Sequence, residues 1–241
     1  MFNIGPVTFH LYGLLIGLGV LAGGWQASKY NKKIWEVLPW VLGCGLAGAR
    51  LYHVIDQWDY YWLHPGQIVM LWRGGMGIFG GILGGLVGLW WQAKTWKNWL
   101  KLADAGAVGL ALGQVIGRWG NYFNQELYGK PTSLPWAIYI KPENRLIEVI
   151  NYDYFHPLFL YESLWCLIIF IILIKAINRY KYKIGSGQVL VLYLGLYGLG
   201  RFFLEFLRLE SWRVQGVSVA QLISLGLVMA AGWKWAQMSK R

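Results

Sequence analysis

Cysteine is almost missing from this chain: of 241 residues only Cys44 and Cys166 carry thiols. Each stands inside an apolar run, which excludes a disulfide framework and a cysteine-built metal site and leaves both as packing residues. Charge is scarce too. Asp, Glu, Lys and Arg together make up 14% of the sequence, against 56% hydrophobic and 17% aromatic residues, a balance that excludes an ordinary water-soluble domain. Negative charge is scarcest, with 11 acidic against 22 basic residues and a net charge of +11. The lysines stand beside apolar segments and form neither one basic face nor a nucleic-acid motif, so no nucleic-acid partner is expected. A His-Glu-x-x-His or comparable ligand cluster is lacking, so neither metal nor cofactor is expected.

What is abundant is the long apolar run. A bilayer core of about 30 Å takes about 20 mainly apolar residues per helix, and seven such runs can be drawn, at roughly 8–27, 36–55, 75–93, 102–119, 159–177, 186–207 and 216–234. The sequence therefore predicts an all-α integral membrane protein, a single domain 1–241 in which the membrane bilayer is itself a partner. The first run has no basic residue before it and no clean small-residue cleavage site after it, so it is read as a retained span. Lys29, Lys32 and Lys33 follow run one; Lys94, Lys97 and Lys101 follow run three. Lys175, Arg179, Lys181 and Lys183 follow run five, and Lys240 and Arg241 follow run seven. With seven spans these ends share one side, which the positive-inside rule makes the cytoplasm, and the N-terminus lies outside.

The outer connections carry mixed charge. The one at 56–74 is rich in Tyr and Trp and suits an arm at headgroup level. The one at 120–157 holds Pro131, Pro135 and Pro142 and two β-prone runs, Trp136–Ile140 and Leu146–Ile150, which predict a small hairpin or flap.

Ionisable groups within spans are costly unless paired, hydrated or used. Here they are Arg50, Asp104, Arg118, Glu126, Glu162, Arg201 and Glu205. Arg50, Arg118 and Arg201 fall toward the outer ends of runs two, four and six, with Glu162 near the outer end of run five; Asp104 sits at a cytoplasmic end. Three arginines converging there would make a cationic cavity suited to an anionic lipid headgroup. The alternative is a set of structural ion pairs, since Arg201 and Glu205 are four residues apart on one helix face. Gly75, Gly77 and Gly80 spell a dinucleotide-site spacing, but no strand precedes them. Gly80, Gly84 and Gly88 stand four apart, which suits either close helix packing or a surface along which lipid passes.

The segment Gly117-Arg-Trp-Gly-Asn-Tyr-Phe-Asn-Gln-Glu-Leu-Tyr-Gly129 closely resembles the signature of prolipoprotein diacylglyceryl transferases, Gly-Arg-x-Gly-Asn-Phe-x-Asn-x-Glu-x-x-Gly, with Tyr122 in place of phenylalanine. Around it, in the family's order, stand His10-Leu-Tyr12-Gly13, Gly48-Ala-Arg50, Trp72-Arg-Gly-Gly-Met, Asp104, His156-Pro-Leu-Phe-Leu-Tyr161-Glu162, Tyr197-Gly-Leu-Gly-Arg201-Phe-Phe-Leu-Glu205-Phe-Leu-Arg208 and Ser218-Val-Ala-Gln221. The resemblance covers nearly the whole chain. It implies a bacterial inner-membrane enzyme, active toward the outer leaflet. Such an enzyme moves the diacylglyceryl group of phosphatidylglycerol to the lipobox cysteine of a preprolipoprotein, leaving a thioether and glycerol phosphate. It further implies that Arg118 and Arg201 stabilise the leaving phosphate, that Tyr12, Asn121, Asn124, Glu126, Tyr197 and Gly129 bind and orient the glycerol, and that Arg50, Glu126, Glu162 and Glu205 hold the arginines.

One position departs from the family's pattern. Where a histidine often stands in the glycine-rich motif, as the proposed base, this chain has Phe79. Three explanations follow: a thiolate formed by the arginine field, a different base such as His10, His156 or Glu126, or lost activity. Rival classes fit less well. An organic-anion transporter would want internal repeats, a metal-dependent phosphatidyl transferase of the CDP-alcohol class paired aspartates, and an intramembrane protease a Ser and His or two Asp within spans; none of these is found.

Overall fold

A computed structural model describes residues 2–4, 7–9, 11–180 and 182–238. Among the described residues the helices are α1 (Leu11–Ser28), α2 (Ile34–Asp56), α3 (Trp58–Leu63), α4 (Ile78–Ala93), α5 (Trp96–Gly117), α6 (Trp119–Asn124), α7 (Leu158–Tyr180), α8 (Gln188–Leu204) and α9 (Val219–Met238). Six strands pair as three antiparallel hairpins: β1 (Phe2–Ile4) with β2 (Val7–Phe9), β3 (Ile138–Tyr139) with β4 (Tyr154–Phe155), and β5 (Arg213–Val214) with β6 (Val217–Ser218). His10, Lys181, Lys240 and Arg241 lie outside the described residues.

A helix stands at each of the seven predicted places, and six helical segments are long and apolar enough to cross a membrane. The shorter one is α4, with 16 residues, about 24 Å at 1.5 Å per residue. Its predicted first turn is lost because Gly74 and Gly75 take positive φ, 79° and 75°, a conformation that ends regular helix and that glycine adopts without a steric penalty.

The faces these helices turn outward are apolar: Leu21, Trp25, Leu51, Trp91, Leu83, Met229 and Trp233 are all more than half exposed. In water this would be a large hydrophobic patch; in lipid it is the expected surface. Inside, Val108 and Ala111 of α5 meet Ile169 and Leu173 of α7 and Val189 of α8, all at 0% exposure.

Glycine sets how closely two helix pairs approach. A methyl group on Gly80 would overlap the Gly48 carbonyl oxygen, one on Gly84 the Cys44 carbonyl oxygen, and one on Gly88 would lie 2.7 Å from that of Trp40. The spaced glycines of α4 therefore serve packing against α2, of the two uses the spacing allows. The same device joins α1 to α5. There a methyl group on Gly19 would stand 2.8 Å from the Gly113 oxygen, and one on Gly109 would overlap that of Gly23.

The helix ends sort by chemistry. At one end Asp104, fully buried, accepts the backbone N–H groups of Gly185, Gly187 and Leu190 at 2.8, 2.9 and 2.9 Å. It thereby caps the start of α8. Lys101 lies against Gly185, and Gly187 lies against Leu100 and Met238, so the start of α5, the α7–α8 turn and the end of α9 gather there. Arg118, Glu162 and Arg201 stand at the other ends of the same helices.

At that other end the chain from 124 to 157 forms a flap with a core of Tyr128, Ile140, Val149 and Phe155. The hairpin differs from expectation: Ile138 and Tyr139 pair with Phe155 and Tyr154, whereas Ile147–Val149 form a 3-10 turn. Arg145 explains the change. Its guanidinium donates to the carbonyls of Ile140 at 2.8 Å and Ile150 at 3.1 Å and pairs with Asp153 at 2.7 Å. Those carbonyls are thus taken, and the intervening segment folds into a loop rather than a strand.

Because no side chain fits between α2 and α4, Gly84→Leu is expected to lower the melting temperature of the detergent-solubilised protein by at least several degrees, in line with roughly 1–3 kcal/mol of overpacking. Gly17→Leu, on an open face of α1 where a Cβ would meet nothing within 4 Å, should leave it nearly unchanged. Equal melting temperatures for the two variants would contradict the packing.

Candidate active site

The chemistry gathers where α5, α7 and α8 end together. Arg118 closes α5, Glu162 sits in the first turns of α7, and Arg201, Glu205 and Arg208 follow one another at the end of α8 and in the 3-10 turn Glu205–Leu207 beyond it. Ser163, next to Glu162, donates to the Val115 carbonyl at 2.8 Å, which fixes the start of α7 against the last turn of α5. Glu162 is 7% exposed and Glu205 4%.

Glu162 lies between three guanidinium groups. Its Oε2 is 2.8 Å from Arg118 Nε, and its Oε1 is 3.3 Å from Arg208 Nη2 and 3.7 Å from Arg201 Nη1. Glu205 Oε2 is 2.7 Å from Arg201 Nη2 and 3.9 Å from Arg208 Nε. The spacing of four between Arg201 and Glu205 does form the helix-face pair that the sequence allows. It does not neutralise the cluster, because three cations face two anions. Two buried donors, Arg201 Nη1 and Arg208 Nε, and the acceptor Glu205 Oε2 have ion-pair neighbours but no hydrogen bond among the described residues, an arrangement that costs free energy unless something bonds to them.

A polar wall adjoins the cluster. Tyr197, beside Arg118, stacks on Tyr193 with ring centroids 5.8 Å apart. The Tyr193 hydroxyl donates to Gln114 Oε1 at 3.0 Å, and the Cys166 thiol approaches the same oxygen at 3.6 Å. Tyr12 is electrostatically coupled to both Arg118 and Glu126 and packs on Gly120, where a Cβ would stand 2.7 Å from its ring. Asn121, 6% exposed, donates to Glu126 Oε1 at 2.9 Å. Tyr12, Asn121, Asn124, Glu126 and Arg208 share the lining of an open cleft of about 460 Å³. Tyr128, also on that cleft, accepts from the Leu146 N–H at 2.7 Å and donates to the Asn144 carbonyl at 3.1 Å. Burial pushes its hydroxyl above the ordinary tyrosine value, so it stays protonated at neutral pH.

Several predicted residues make their contacts elsewhere. Arg50, expected beside the other arginines, donates to the carbonyls of Gln67 and Gly74 at 2.6 Å, Ile68 at 2.8 Å and Gly75 at 3.0 Å. It also lies over the Tyr61 ring. Its guanidinium thus fastens the arm formed by α3 and the 3-10 turns Pro65–Gln67 and Leu71–Arg73, and contacts neither Arg118 nor Arg201. Glu126 meets Asn121 rather than an arginine. His156 Nδ1 is 3.2 Å from the Tyr161 hydroxyl, which Trp136 Nε1 also reaches at 2.7 Å. Gly129 is a close-packing residue: its N–H donates to the His156 carbonyl at 2.9 Å, it bridges to Arg208, and a methyl group there would lie 2.8 Å from His156 Cβ. Phe79 packs near Tyr52, ring centroids 6.1 Å apart. His10 lies outside the described residues.

Three residues of the cluster escape sequence reasoning about charge in spans. Arg208 is one, although it closes the Tyr197–Arg208 motif. The others are Ser211 and Ser218, whose hydroxyls each donate to Glu205 Oε1 at 2.6 Å. The signal for Arg208 and Ser218 is their place in the motifs that carry the resemblance; Ser211 has none.

Comparison with known proteins agrees with the geometry. The family model described as prolipoprotein diacylglyceryl transferase matches residues 1–237. Relatives named phosphatidylglycerol–prolipoprotein diacylglyceryl transferase include those of Nostoc sp., 40% identical over 99% of this chain and 89% of its own, and of Gloeobacter violaceus, 40% identical over 97% of this chain and 90% of its own. That of Fervidobacterium nodosum is 37% identical over 97% of this chain and 82% of its own. A buried arginine–glutamate cluster at the ends of apolar helices, bordered by the Gly117–Gly129 signature, is thus carried on a chain that matches along nearly its entire length and belongs to the prolipoprotein diacylglyceryl transferase family.

Proposed function

We propose that this chain transfers the diacylglyceryl group of phosphatidylglycerol to the thiol of a lipobox cysteine in a preprolipoprotein. The observation that carries the reading is the surplus of cationic charge: three guanidinium groups against two carboxylates, with Arg201 Nη1 and Arg208 Nε buried in longer ion pairs and without a hydrogen bond. Phosphate oxygens would supply the missing acceptors and the missing negative charge.

In this reading the thiolate sulfur attacks the diacylglycerol carbon bonded to the phosphate. A carbon–sulfur bond forms as the carbon–oxygen bond breaks, and glycerol phosphate leaves with the bonding pair. Arg118 and Arg201 stabilise the charge that builds on the leaving phosphate. Tyr197, beside Arg118, and Tyr12 and Asn121, on the cleft, orient the glycerol. Phenylalanine at position 79 takes no proton. We assign the thiol proton to Glu126, the cleft carboxylate held by Asn121 and coupled to Tyr12. Both substrates are membrane-bound, so the site opens sideways to lipid. We place the protein in the bacterial inner membrane, with the basic helix ends in the cytoplasm and the arginine cluster toward the outer leaflet.

Incubated with phosphatidylglycerol in detergent, the purified protein should add a diacylglyceryl-sized mass to a synthetic lipobox peptide and none to the same peptide with serine for cysteine. A folded protein that modifies neither peptide would sink the proposal. Arg118→Ala should lower transfer roughly a hundred- to a thousandfold by analogy with the removal of a transition-state donor, with the melting temperature little changed; normal activity would remove Arg118 from the site. Glu126→Gln should be slow at neutral pH and recover as pH rises through about 8.5, where a cysteine thiol ionises without help. A flat pH response in that variant would rule out Glu126 as base. In a Cys44→Ala background, Glu143→Cys should react with a membrane-impermeant thiol reagent on intact cells and Lys97→Cys only after permeabilisation; the reverse pattern would invert the orientation.

A further inference from the structure

Glu205 has two oxygens, and the structure divides their work. Oε1 accepts two short hydrogen bonds, from Ser211 Oγ and Ser218 Oγ, each at 2.6 Å. Distances of this size are those of hydroxyls on an ionised carboxylate, and two such donors use both lone pairs of that oxygen. Glu205 is left with Oε2 for the arginines, at 2.7 Å from Arg201 Nη2 and 3.9 Å from Arg208 Nε.

An unrestrained carboxylate beside an arginine tends to close on it as a fork, two parallel N–H···O bonds that use both edges of the guanidinium. Here the fork is blocked. Arg201 meets Glu205 through one nitrogen, as an ion pair without a hydrogen bond, and its Nη1, like Arg208 Nε, is buried with no hydrogen bond. The serines come from opposite ends of one short element: Ser211 precedes β5, and Ser218 ends β6 and leads into α9. Ser218 is 4% exposed, so its hydroxyl is withheld from water and committed to the carboxylate. The β5–β6 hairpin thereby reaches from outside the helical bundle into the charge cluster.

We propose that Ser211 and Ser218 are positioning residues that hold Glu205 in its one-point grip, and so keep the free edges of Arg201 and Arg208 available to the phosphate of the lipid substrate. This rests on the reading that these arginines bind that phosphate. Without the hydroxyls, Oε1 turns to the arginines, the fork closes, and the donors that the lipid needs are occupied before it arrives.

The test is steady-state transfer from phosphatidylglycerol to a lipobox peptide by the detergent-solubilised full chain. In Ser211→Ala/Ser218→Ala the KM for phosphatidylglycerol should rise roughly ten- to a hundredfold, the worth of one charge-assisted hydrogen bond, while the KM for the peptide stays put and kcat changes less. Ser211→Thr/Ser218→Thr keeps both hydroxyl donors and should restore the lipid KM. An alanine variant with an unchanged lipid KM overturns the proposal even if its melting temperature falls, as does a threonine variant as defective as alanine. If the double alanine variant does not fold, Ser211→Ala alone is read against the same criteria. Arg201→Ala separates the two layers of the argument. A normal lipid KM in that variant defeats the phosphate reading itself, whereas a defective Arg201→Ala beside normal serine variants defeats only the serine clasp.

Discussion

The Glu162 carboxylate is the interaction on which the site depends. Three guanidinium groups from two helices and the turn beyond one of them converge on it, at a depth where an isolated charge would be expelled. Remove that negative centre and Arg118, Arg201 and Arg208 repel one another across a low-dielectric gap; keep it alone and the surplus is two positive charges. Glu205 reduces the surplus to one. The cluster is thus stable enough to exist in an apolar bundle and unbalanced enough to want an anion, which is how buried charge becomes binding capacity rather than mere stability.

The rest of the architecture brings those helix ends together and keeps them there. The glycine contacts of α1 with α5 and of α2 with α4 draw backbones to a distance that no other residue would allow. Asp104, far from the cluster along the same helix as Arg118, fixes the turn that launches α8 toward Arg201. A capped helix start at one end and an ion network at the other make α5 and α8 a rigid pair. The flap joins the far side through the bridge from Gly129 to Arg208, so a loop outside the span is tied to the same arginine that lines the cleft.

Much of this was legible in the residues. Arg118, Glu162, Arg201 and Glu205 stand out because charge inside an apolar run has to be explained, and the explanation brings them together. Arg208 and Ser218 enter the sequence reading only as members of the motifs that carry the resemblance, and Ser211 not at all; their place in the cluster rests on three-dimensional contact. Arg50 goes the other way. Charge in a span predicted an arginine beside Arg118 and Arg201, but it is held by the carbonyls of Gln67, Ile68, Gly74 and Gly75, the last two on positive-φ glycines, a backbone event that no pattern of side chains encodes. The stripe of glycines on α4 was readable as a spacing of four. The same spacing recurs at Gly109, Gly113 and Gly117 of α5 and at Gly19 and Gly23 of α1, so that contact carries the same signal.

The way Arg50 is held has a bearing on how the arm behaves as surroundings change. Its four partners are peptide carbonyls, dipoles that do not titrate, and it is 6% exposed, where dissolved ions do not reach it. A latch built from an arginine and an acid loosens when the acid is protonated; one built from an arginine and peptide oxygens does not. The Tyr- and Trp-rich arm is therefore fastened to α2 by an arginine whose four acceptors carry no titrating acid.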